Sequence, residues 1–441
     1  MIEKIFQLSK KHSNVKTEII AGLTTFLAMA YILAVNPGML AATGMSQQSV
    51  FVATAISSGL ACILMGVLAN YPVALAPGMG VNALFTYTVC LTYGYTWEAA
   101  LATVFVSGLL FVVISVTGLR KLIINAIPKN MKLAIGAGIG FFIAFIGFVN
   151  GGIVVSDPST LVALGNFKDP AVLLALIGVV LTIVLMARNI NGAVFIGIVL
   201  TTVIGIVMRM CGLEGISAAL PALPTGVISV NLDFSTVGAF TRGFGDMLSQ
   251  PSLPLVLFSF LFVDFFDTAG TLVAVGNNIG LVNEKGEMEN IEKALLADSV
   301  GTVIGAALGT STVTSFVESG SGVAAGGRTG LTAVTTGVCF LLSVLFYPVL
   351  SVVTSQVTAP ALIIVGVLMA QQLKEIDWPD FSTAVPAFFT VIIMVLGYSI
   401  SDGIAFGFIA YTVSKLAAGK SKEIQPVIYI LDLIFIVYFM M

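Results

Sequence analysis

Apolar segments about 20 residues long follow one another along almost the whole chain, separated by short polar connections. A helix of about 20 apolar residues is what crosses the hydrocarbon core of a bilayer. Only 9% of the residues are charged and 58% are hydrophobic, whereas soluble domains carry about 25% charged residues. The sequence therefore predicts an all-α polytopic membrane protein. We count about fourteen candidate transmembrane segments, at 18–36, 50–69, 72–90, 97–118, 132–149, 171–187, 192–210, 253–277, 293–308, 311–327, 329–353, 358–373, 382–399 and 401–416.

The two halves of the chain resemble each other. Gly78-Met79-Gly80-Val81 is similar to Gly320-Ser321-Gly322-Val323, and Asn191–Phe195 is similar to Asp402–Phe406. Each half holds seven candidate segments, and because seven is odd the second copy enters the membrane from the opposite side. This predicts a 7+7 inverted repeat whose binding site lies near the midplane, between the interrupted third and tenth segments.

Basic residues predict which side of the membrane each connection occupies. The even-numbered connections and both tails carry sixteen Lys and Arg residues, and the odd-numbered ones carry only Lys168, Arg209 and Arg242. Cytoplasmic loops are enriched in Lys and Arg, so we expect both termini in the cytoplasm and the protein in the plasma membrane. The expected regions are a cytoplasmic tail (1–17), a first repeat (18–210), an external linker with an amphipathic segment (211–252), a second repeat (253–416) and a C-terminal tail with an apolar, interfacial or peripheral helix (417–441).

Cysteine and histidine give no sign of a metal site. The four cysteines lack metal-ligand or disulfide spacing, and His12, the only histidine, lies in the polar N-terminal tail. The net charge of −3 indicates no particular partner. A charged tail before the first apolar segment and many more segments after it argue against a cleavable signal peptide. We expect no cofactor, no bound metal and no nucleic-acid partner.

The stretch 310–328 falls where the tenth segment is due, yet it does not read as an ordinary span. Its first half is rich in Thr and Val, which favours an extended backbone. Its second half is rich in glycine, and Glu318 stands at the join. A carboxylate at membrane depth marks a functional site, and broken backbone there must be packed in protein or line a cavity. We predict that Glu318 lies in a substrate cavity, beside a half-helix starting at about Gly320.

The third segment is interrupted in the corresponding place. Pro72 and Pro77 prevent a regular helix in its first part. A helix that starts at Gly78 would direct free backbone N–H groups toward the site, and Asn82, one turn later, offers a donor and an acceptor. The alternatives are that Gly78 and Gly80 only allow close helix packing and that Asn82 only bonds to a neighbouring helix.

Two aspartates, Asp264 and Asp267, share one face of the eighth segment among aromatic residues. Two close, buried carboxylates do not both ionise readily, which favours one as proton carrier and the other as substrate ligand. The alternative is that the pair bonds to neighbouring helices. We interpret Asp298 and Asp402 as caps or charges at span ends, and most intramembrane hydroxyls as bonded to their own helix.

Several motifs resemble one known family. Ala76–Ala83, Phe262–Thr271 and Thr310–Ala324, supported by Ile19–Tyr31 and Val357–Ala361, are similar to the AzgA-like branch of the nucleobase–cation symporter-2 family. The similarity covers essentially the whole chain and is strongest to guanine/hypoxanthine permeases. It implies a core domain moving against a gate domain, short strands in the third and tenth segments, and proton symport of a purine nucleobase.

The resemblance also implies roles for residues. It assigns base binding to Asn82, Asp264 and Glu318, and a need in transport to Asp267; proton coupling would involve the three acidic residues. Carboxylates can accept the ring N–H groups of guanine. The remaining candidate base contacts are the backbone at Gly78, Gly80 and Gly320 and the rings of Phe265 and Phe316.

Other functions stay open. An adenine-preferring permease of the same branch and sodium in place of the proton are near alternatives. An anion transporter of the same architecture would want positive charge in its site. An intramembrane aspartyl enzyme would need its carboxylates to flank a scissile bond, and a spacing of three residues on one helix does not provide this. A homodimer is compatible with the sequence.

Overall fold

The computed structural model describes residues 2–117, 128–213, 220–278 and 290–440. Helices dominate it. They are α1 (Ile2–Phe6), α2 (Val15–Met29), α3 (Ile32–Leu40), α4 (Gln47–Leu64), α5 (Met79–Ala83), α6 (Trp97–Thr117), α7 (Lys129–Asn150), α8 (Pro170–Ala187), α9 (Ala193–Met210), α10 (Phe244–Ser249), α11 (Leu253–Asn278), α12 (Ile291–Leu308), α13 (Ser319–Ala324), α14 (Gly330–Ser343), α15 (Tyr347–Leu350), α16 (Ser355–Ala370), α17 (Phe381–Leu396), α18 (Ile400–Ala417) and α19 (Pro426–Met440). The strands are β1 (Leu75–Pro77), β2 (Val154–Asp157), β3 (Leu161–Leu164) and β4 (Val313–Ser315).

The predicted helical, polytopic membrane architecture is confirmed. Each predicted segment contains helix, and within the described residues eight helical stretches are long and apolar enough to cross a membrane. That all fourteen segments cross stays a prediction. The eight are Val15–Thr43, Gln47–Ala69, Trp97–Thr117, Lys129–Asn150, Pro170–Ala187, Ala193–Met210, Gly330–Leu350 and Ser355–Glu375.

The long helices pack into two bundles. In the first bundle, which draws on residues 15–117 and 253–350, α12 packs on α4 and α6, and α14 packs on α2 and α4. In the second bundle, which draws on residues 129–210 and 355–417, α16 packs on α7 and α8, and α17 packs on α18 and α7. Each bundle therefore combines helices from both halves of the chain.

Glycines allow the closest helix contacts in both bundles. A Cβ built on Gly330 would lie 2.0 Å from the carbonyl oxygen of Gly66, and one built on Gly366 would lie 2.4 Å from that of Gly140. Without a hydrophobic force between helices in lipid, such close backbone packing is a main source of association.

Two short strands interrupt the third and tenth segments. β1 and β4 pair antiparallel with Ala76 opposite Thr314. The Gly78 N–H donates to Thr312 O (3.1 Å) and the Phe316 N–H donates to Ala74 O (3.0 Å), which extends the ladder at both ends. Each strand thereby satisfies backbone groups of the other away from water. The helix predicted from Gly78 begins at Met79, and the half-helix predicted at about Gly320 begins at Ser319.

Two connections differ from expectation. The connection between α7 and α8, which lies outside the predicted segments 132–149 and 171–187, forms the hairpin β2–β3. The amphipathic segment of the linker, Phe234–Leu248, was expected to form a surface helix; it divides into a short 3₁₀ turn and the six-residue α10. Gly238, with φ of 71°, and Gly243 interrupt it, since glycine is unfavourable inside a helix and tolerates the left-handed conformation.

Asp380 caps the N-terminus of α17, and its charge allows a stability test. Its carboxylate accepts from the Ser382 N–H (3.1 Å) and from Lys420 Nζ (2.9 Å). The hydrogen bond from Lys420 holds the pKa of the Asp380 carboxyl below its ordinary value. Its stabilising contribution is therefore complete above the ordinary pKa and is lost as pH falls through the lowered one.

We predict melting temperatures in detergent at pH 7 that decrease from wild type to Asp380→Asn to Asp380→Ala. Asn keeps a good N-cap but loses the charge, and Ala loses both. On acidification the difference between wild type and Asp380→Asn should narrow. A difference that widens would contradict the assignment.

Candidate functional site

Four acidic side chains come together in the first bundle, and we call them the acidic cluster: Asp264, Asp267, Asp298 and Glu318. Asp264 is 1% exposed and Asp298 0%, whereas Asp267 and Glu318 are partly exposed. Asp264 interacts electrostatically with Asp298 and Asp267, and Asp267 interacts with Glu318. The structure thus brings together the three acidic residues singled out in the sequence and adds a fourth.

Glu318 stands between β4 and α13, at the break of the tenth segment. The Tyr31 hydroxyl, at the break between α2 and α3, donates to Glu318 Oε1 at 2.6 Å. The next residue, Ser319, accepts the Ala74 N–H at 3.0 Å, which ties the break to β1. A Cβ built on Gly320 would meet no atom within 4 Å, so open space adjoins the start of α13.

Asp264 has one engaged and one unengaged oxygen. Thr302 Oγ1 on α12 donates to Oδ2 at 3.0 Å. Oδ1 is buried and has no hydrogen-bond partner among the described residues. The Thr314 hydroxyl, which also interacts with the Asp264 carboxyl, pairs with Thr268 at 2.8 Å. Because a buried acceptor without a donor is costly, Oδ1 suits a proton or a ligand N–H.

Asp298 corrects a prediction. It neither opens a helix nor lies at a span end: α12 begins at Ile291, and Asp298 lies inside it, fully buried. Its Oδ1 accepts from Thr268 Oγ1 (2.7 Å) and Ser315 Oγ (3.2 Å). These hydroxyls, like that of Ser319, bond to other elements rather than to their own helix, so the general expectation of back-bonding is wrong for them.

Asn82 is fully buried and connects α5 to the tenth segment. Its Nδ2 donates to Pro77 O at 3.3 Å, and its Oδ1 accepts a hydrogen bond from Ser311 Oγ. This is the contact between neighbouring elements that the sequence left open as an alternative. Base binding by Asn82 stays a prediction.

The predicted glycines and aromatic residues occupy different surroundings. A Cβ on Gly78 would lie 2.2 Å from the methyl of Thr314 and 3.6 Å from Asp267 Oδ2, so Gly78 borders the acidic cluster. Gly80 faces Ile139 on α7.

The two candidate phenylalanines, Phe265 and Phe316, also lie in different surroundings. Phe265 is fully buried, and its ring lies 5.7 Å from that of Phe111 on α6, within helix packing. Phe316 follows β4 directly, 6% exposed, two residues before Glu318.

Sequence reasoning gave no site role to Tyr31 or Asp298. Asp298 carried a usable signal, because it is a carboxylate within the apolar segment 293–308. Tyr31 carried none, because its partner Glu318 is 287 residues away. Two open cavities, of about 500 and 130 Å³, include no member of the acidic cluster.

Comparison with known proteins decides the family. The model Xan_ur_permease, described as a permease family, matches residues 16–406. The chain belongs to this family. The predicted membership in the nucleobase–cation symporters and the expectation of a transporter rather than an enzyme are thereby confirmed.

Three relatives align with almost the whole length of the permease. It is 50% identical to the guanine/hypoxanthine permease PbuG of Bacillus subtilis, over 99% of both chains. It is 45% identical to a putative permease of Methanocaldococcus jannaschii, over 99% of this chain and 98% of that one. It is 40% identical to the adenine permease AdeP of Escherichia coli, over 99% and 95%.

Two solved structures share the fold at low sequence identity. The transmembrane domain of the cyanobacterial bicarbonate transporter BicA has a TM-score of 0.61 at 16% identity, covering 92% of the permease and 97% of that chain. The murine anion transporter Slc26a9 has a TM-score of 0.62 at 12% identity, covering 91% and 69%. At this identity they support the architecture alone.

We predict that Gly78→Ala destabilises the permease by about 1–3 kcal/mol, because the new methyl meets the β-branched, hydrogen-bonded Thr314. Gly320→Ala is the matched control and should change stability by less than about 0.5 kcal/mol, since no atom lies within 4 Å. Thermal unfolding in detergent measures both. Equal melting temperatures for the two variants would show that β1 and β4 do not approach as closely as described.

Proposed function

We propose that the permease imports purine nucleobases across the plasma membrane by proton symport, with guanine or hypoxanthine preferred over adenine. The observation that carries the proposal is the acidic cluster beside two broken segments, in a chain half identical to a guanine/hypoxanthine permease over its full length. A second relative of the same name, PbuO of Bacillus subtilis, is 44% identical. An adenine-preferring permease is the near alternative, supported by the 40% identity to AdeP.

The proposed binding site uses acceptors for the ring N–H groups of the base. Glu318 is partly exposed beside the open space at Gly320, and Asp264 Oδ1 lacks a donor. A purine ring could stack on Phe316, which adjoins the same break, while backbone N–H groups at α5 and α13 serve the ring acceptors. Asn82 would contribute after exchanging its contact with Ser311.

The position of Asp267 supports the proposed proton coupling. It interacts electrostatically with Asp264 on one side and Glu318 on the other. A proton on Asp267 removes its charge repulsion with Asp264 and Glu318, so that a base can bind between these two carboxylates. Sodium is the alternative coupling ion, because discontinuous helices serve either cation.

The two bundles are suited to alternating access. All four members of the acidic cluster and Tyr31 belong to the first bundle, which we assign as the core domain, and the second bundle would be the gate. We propose fourteen crossings in an inverted 7+7 repeat with a cytoplasmic N-terminus. The antiparallel pairing of β1 with β4 supports this symmetry, since each strand precedes its own half-helix.

Anion transport, the activity named for the two structural relatives, fits the site less well. Among the described residues, no Lys or Arg forms an ion pair with Asp264, Asp267 or Glu318. An anion site in a membrane protein needs positive charge or oriented donors, and this cluster concentrates negative charge.

We predict that purified permease in liposomes accumulates labelled guanine when the outside is more acidic, and that a protonophore abolishes the accumulation. Unlabelled guanine and hypoxanthine should compete strongly, adenine less, and uracil and bicarbonate hardly at all. Asp267→Asn should retain guanine binding but lose the response to the gradient. Uptake that ignores the gradient would rule out proton symport, and dependence on added sodium would assign the coupling to that ion.

We predict that Asp264→Asn and Glu318→Gln weaken guanine binding at least tenfold, because hydrogen bonds to a charged acceptor contribute about 1.5–3 kcal/mol. Equilibrium binding in detergent measures the effect. Asp157→Asn is the matched control, because Asp157 lies on the hairpin β2–β3 in an exposed turn. Wild-type affinity in both cluster variants would refute the assigned site.

A further inference from the structure

Tyr31 lies at a break in the first segment, with its hydroxyl directed at the acidic cluster. α2 ends at Met29 and α3 begins at Ile32, so Tyr31 is one of the two residues between them. Its side chain is 1% exposed, and its hydroxyl donates to Glu318 Oε1 at 2.6 Å. A phenol has one proton to donate, so this proton is committed to the Glu318 carboxylate.

α2 and α13 pack with their backbones in contact and are joined by a buried carboxylate. A Cβ built on Gly322 of α13 would lie 2.7 Å from the carbonyl oxygen of Ala21 on α2. Glu18, in the first turn of α2, is fully buried and accepts the N–H of Arg328, in the turn after α13, at 3.0 Å. These contacts fix α13 against α2. The Tyr31 hydroxyl, just after the end of α2, therefore stays beside the carboxylate at the start of α13.

The Glu318 carboxylate adjoins open space and has few donors. Among the described residues, Tyr31 is the only side chain that donates to it, and the backbone N–H of Glu318 itself also interacts with it. Glu318 is partly exposed, beside the open space at Gly320. When a base fills this space and displaces water, a carboxylate oxygen without a donor would cost binding free energy. The Tyr31 hydroxyl removes that cost for Oε1.

Guanine and hypoxanthine differ in the donors that one edge of the ring presents. Guanine carries a ring N–H and, beside it, a 2-amino group, and two parallel donors of this kind can pair with both oxygens of a carboxylate, as a guanidinium does. Hypoxanthine has the same ring N–H but only a C–H at position 2. Opposite a carboxylate with no other donor, hypoxanthine would leave one oxygen unpaired, and sites with such a requirement reject the lacking analogue strongly.

We propose that Tyr31 is a specificity-determining residue, which supplies the donor that hypoxanthine lacks and so lets Glu318 accept purines with or without a 2-amino group. The ring N–H common to both bases donates to the other oxygen of Glu318. The 2-amino group of guanine joins Tyr31 at Oε1, which can accept two hydrogen bonds. This inference rests on the proposed function, since it takes Glu318 as a ligand of the base.

The variant Tyr31→Phe tests the inference, because it keeps the ring and removes only the hydroxyl. Equilibrium binding of labelled bases in detergent should show hypoxanthine weakened about tenfold. Guanine should weaken less than about threefold, because its 2-amino group replaces the lost donor. Tyr411→Phe is the matched control: it removes a buried hydroxyl that donates to Glu423 O in the second bundle. Both affinities should then stay at the wild-type values.

The ratio of the two affinities separates specificity from a structural role. Equal weakening of both bases would show that Tyr31 only orients Glu318, and two unchanged affinities would show that its hydroxyl plays no part; either result overturns the proposal. The wild-type permease gives a test that needs no variant. It should bind the two bases within about tenfold of each other, and a hundredfold preference for guanine would also overturn the proposal. If wild type binds neither base, the proposed function itself fails.

Discussion

The pairing of β1 with β4 is the contact on which the site depends. An extended backbone inside a membrane protein cannot satisfy its own polar groups, so one broken segment needs another beside it. Here the two broken segments satisfy each other, with Gly78 and Phe316 extending the ladder at its two ends. The same pairing sets Gly78 beside Asp267 and brings the Glu318 break next to β1. Fold and site are therefore held by one small sheet.

Among the described residues, hydroxyl groups donate hydrogen bonds to three members of the acidic cluster. The Thr302 hydroxyl donates to Asp264, and the Tyr31 hydroxyl donates to Glu318. Asp298 accepts hydrogen bonds from the hydroxyls of Thr268 and Ser315. A guanidinium or ammonium would neutralise a carboxylate permanently, whereas a hydroxyl donor solvates it and leaves its charge. Such a cluster can still accept a proton or an N–H donor, as the proposed proton-coupled transport of a neutral base would require.

Local features of the sequence predicted the parts of the fold that local physics determines. Hydropathy located the segments, and prolines and glycines located the breaks at Gly78 and near Gly320. Contacts between distant parts were not accessible: the partner of Tyr31 follows 287 residues later, and Asp298 was misread because its donors lie on β4 and α11. The amphipathic segment of the linker is divided for a local reason, since Gly238 and Gly243 interrupt it.

The position of α19 constrains how the bundles can move. Phe435 packs against Phe258 on α11 in the first bundle and against Phe408 on α18 in the second. The contacts of α19 with α18 are spread along the helix, whereas its described ring contacts with the first bundle are at Phe258 and Tyr93. A relative movement therefore breaks less packing if α19 travels with the second bundle and slides at Phe258. Tyr438 also meets Tyr93, and both line the cavity of about 500 Å³, so the proposed alternating access would change the size of this cavity.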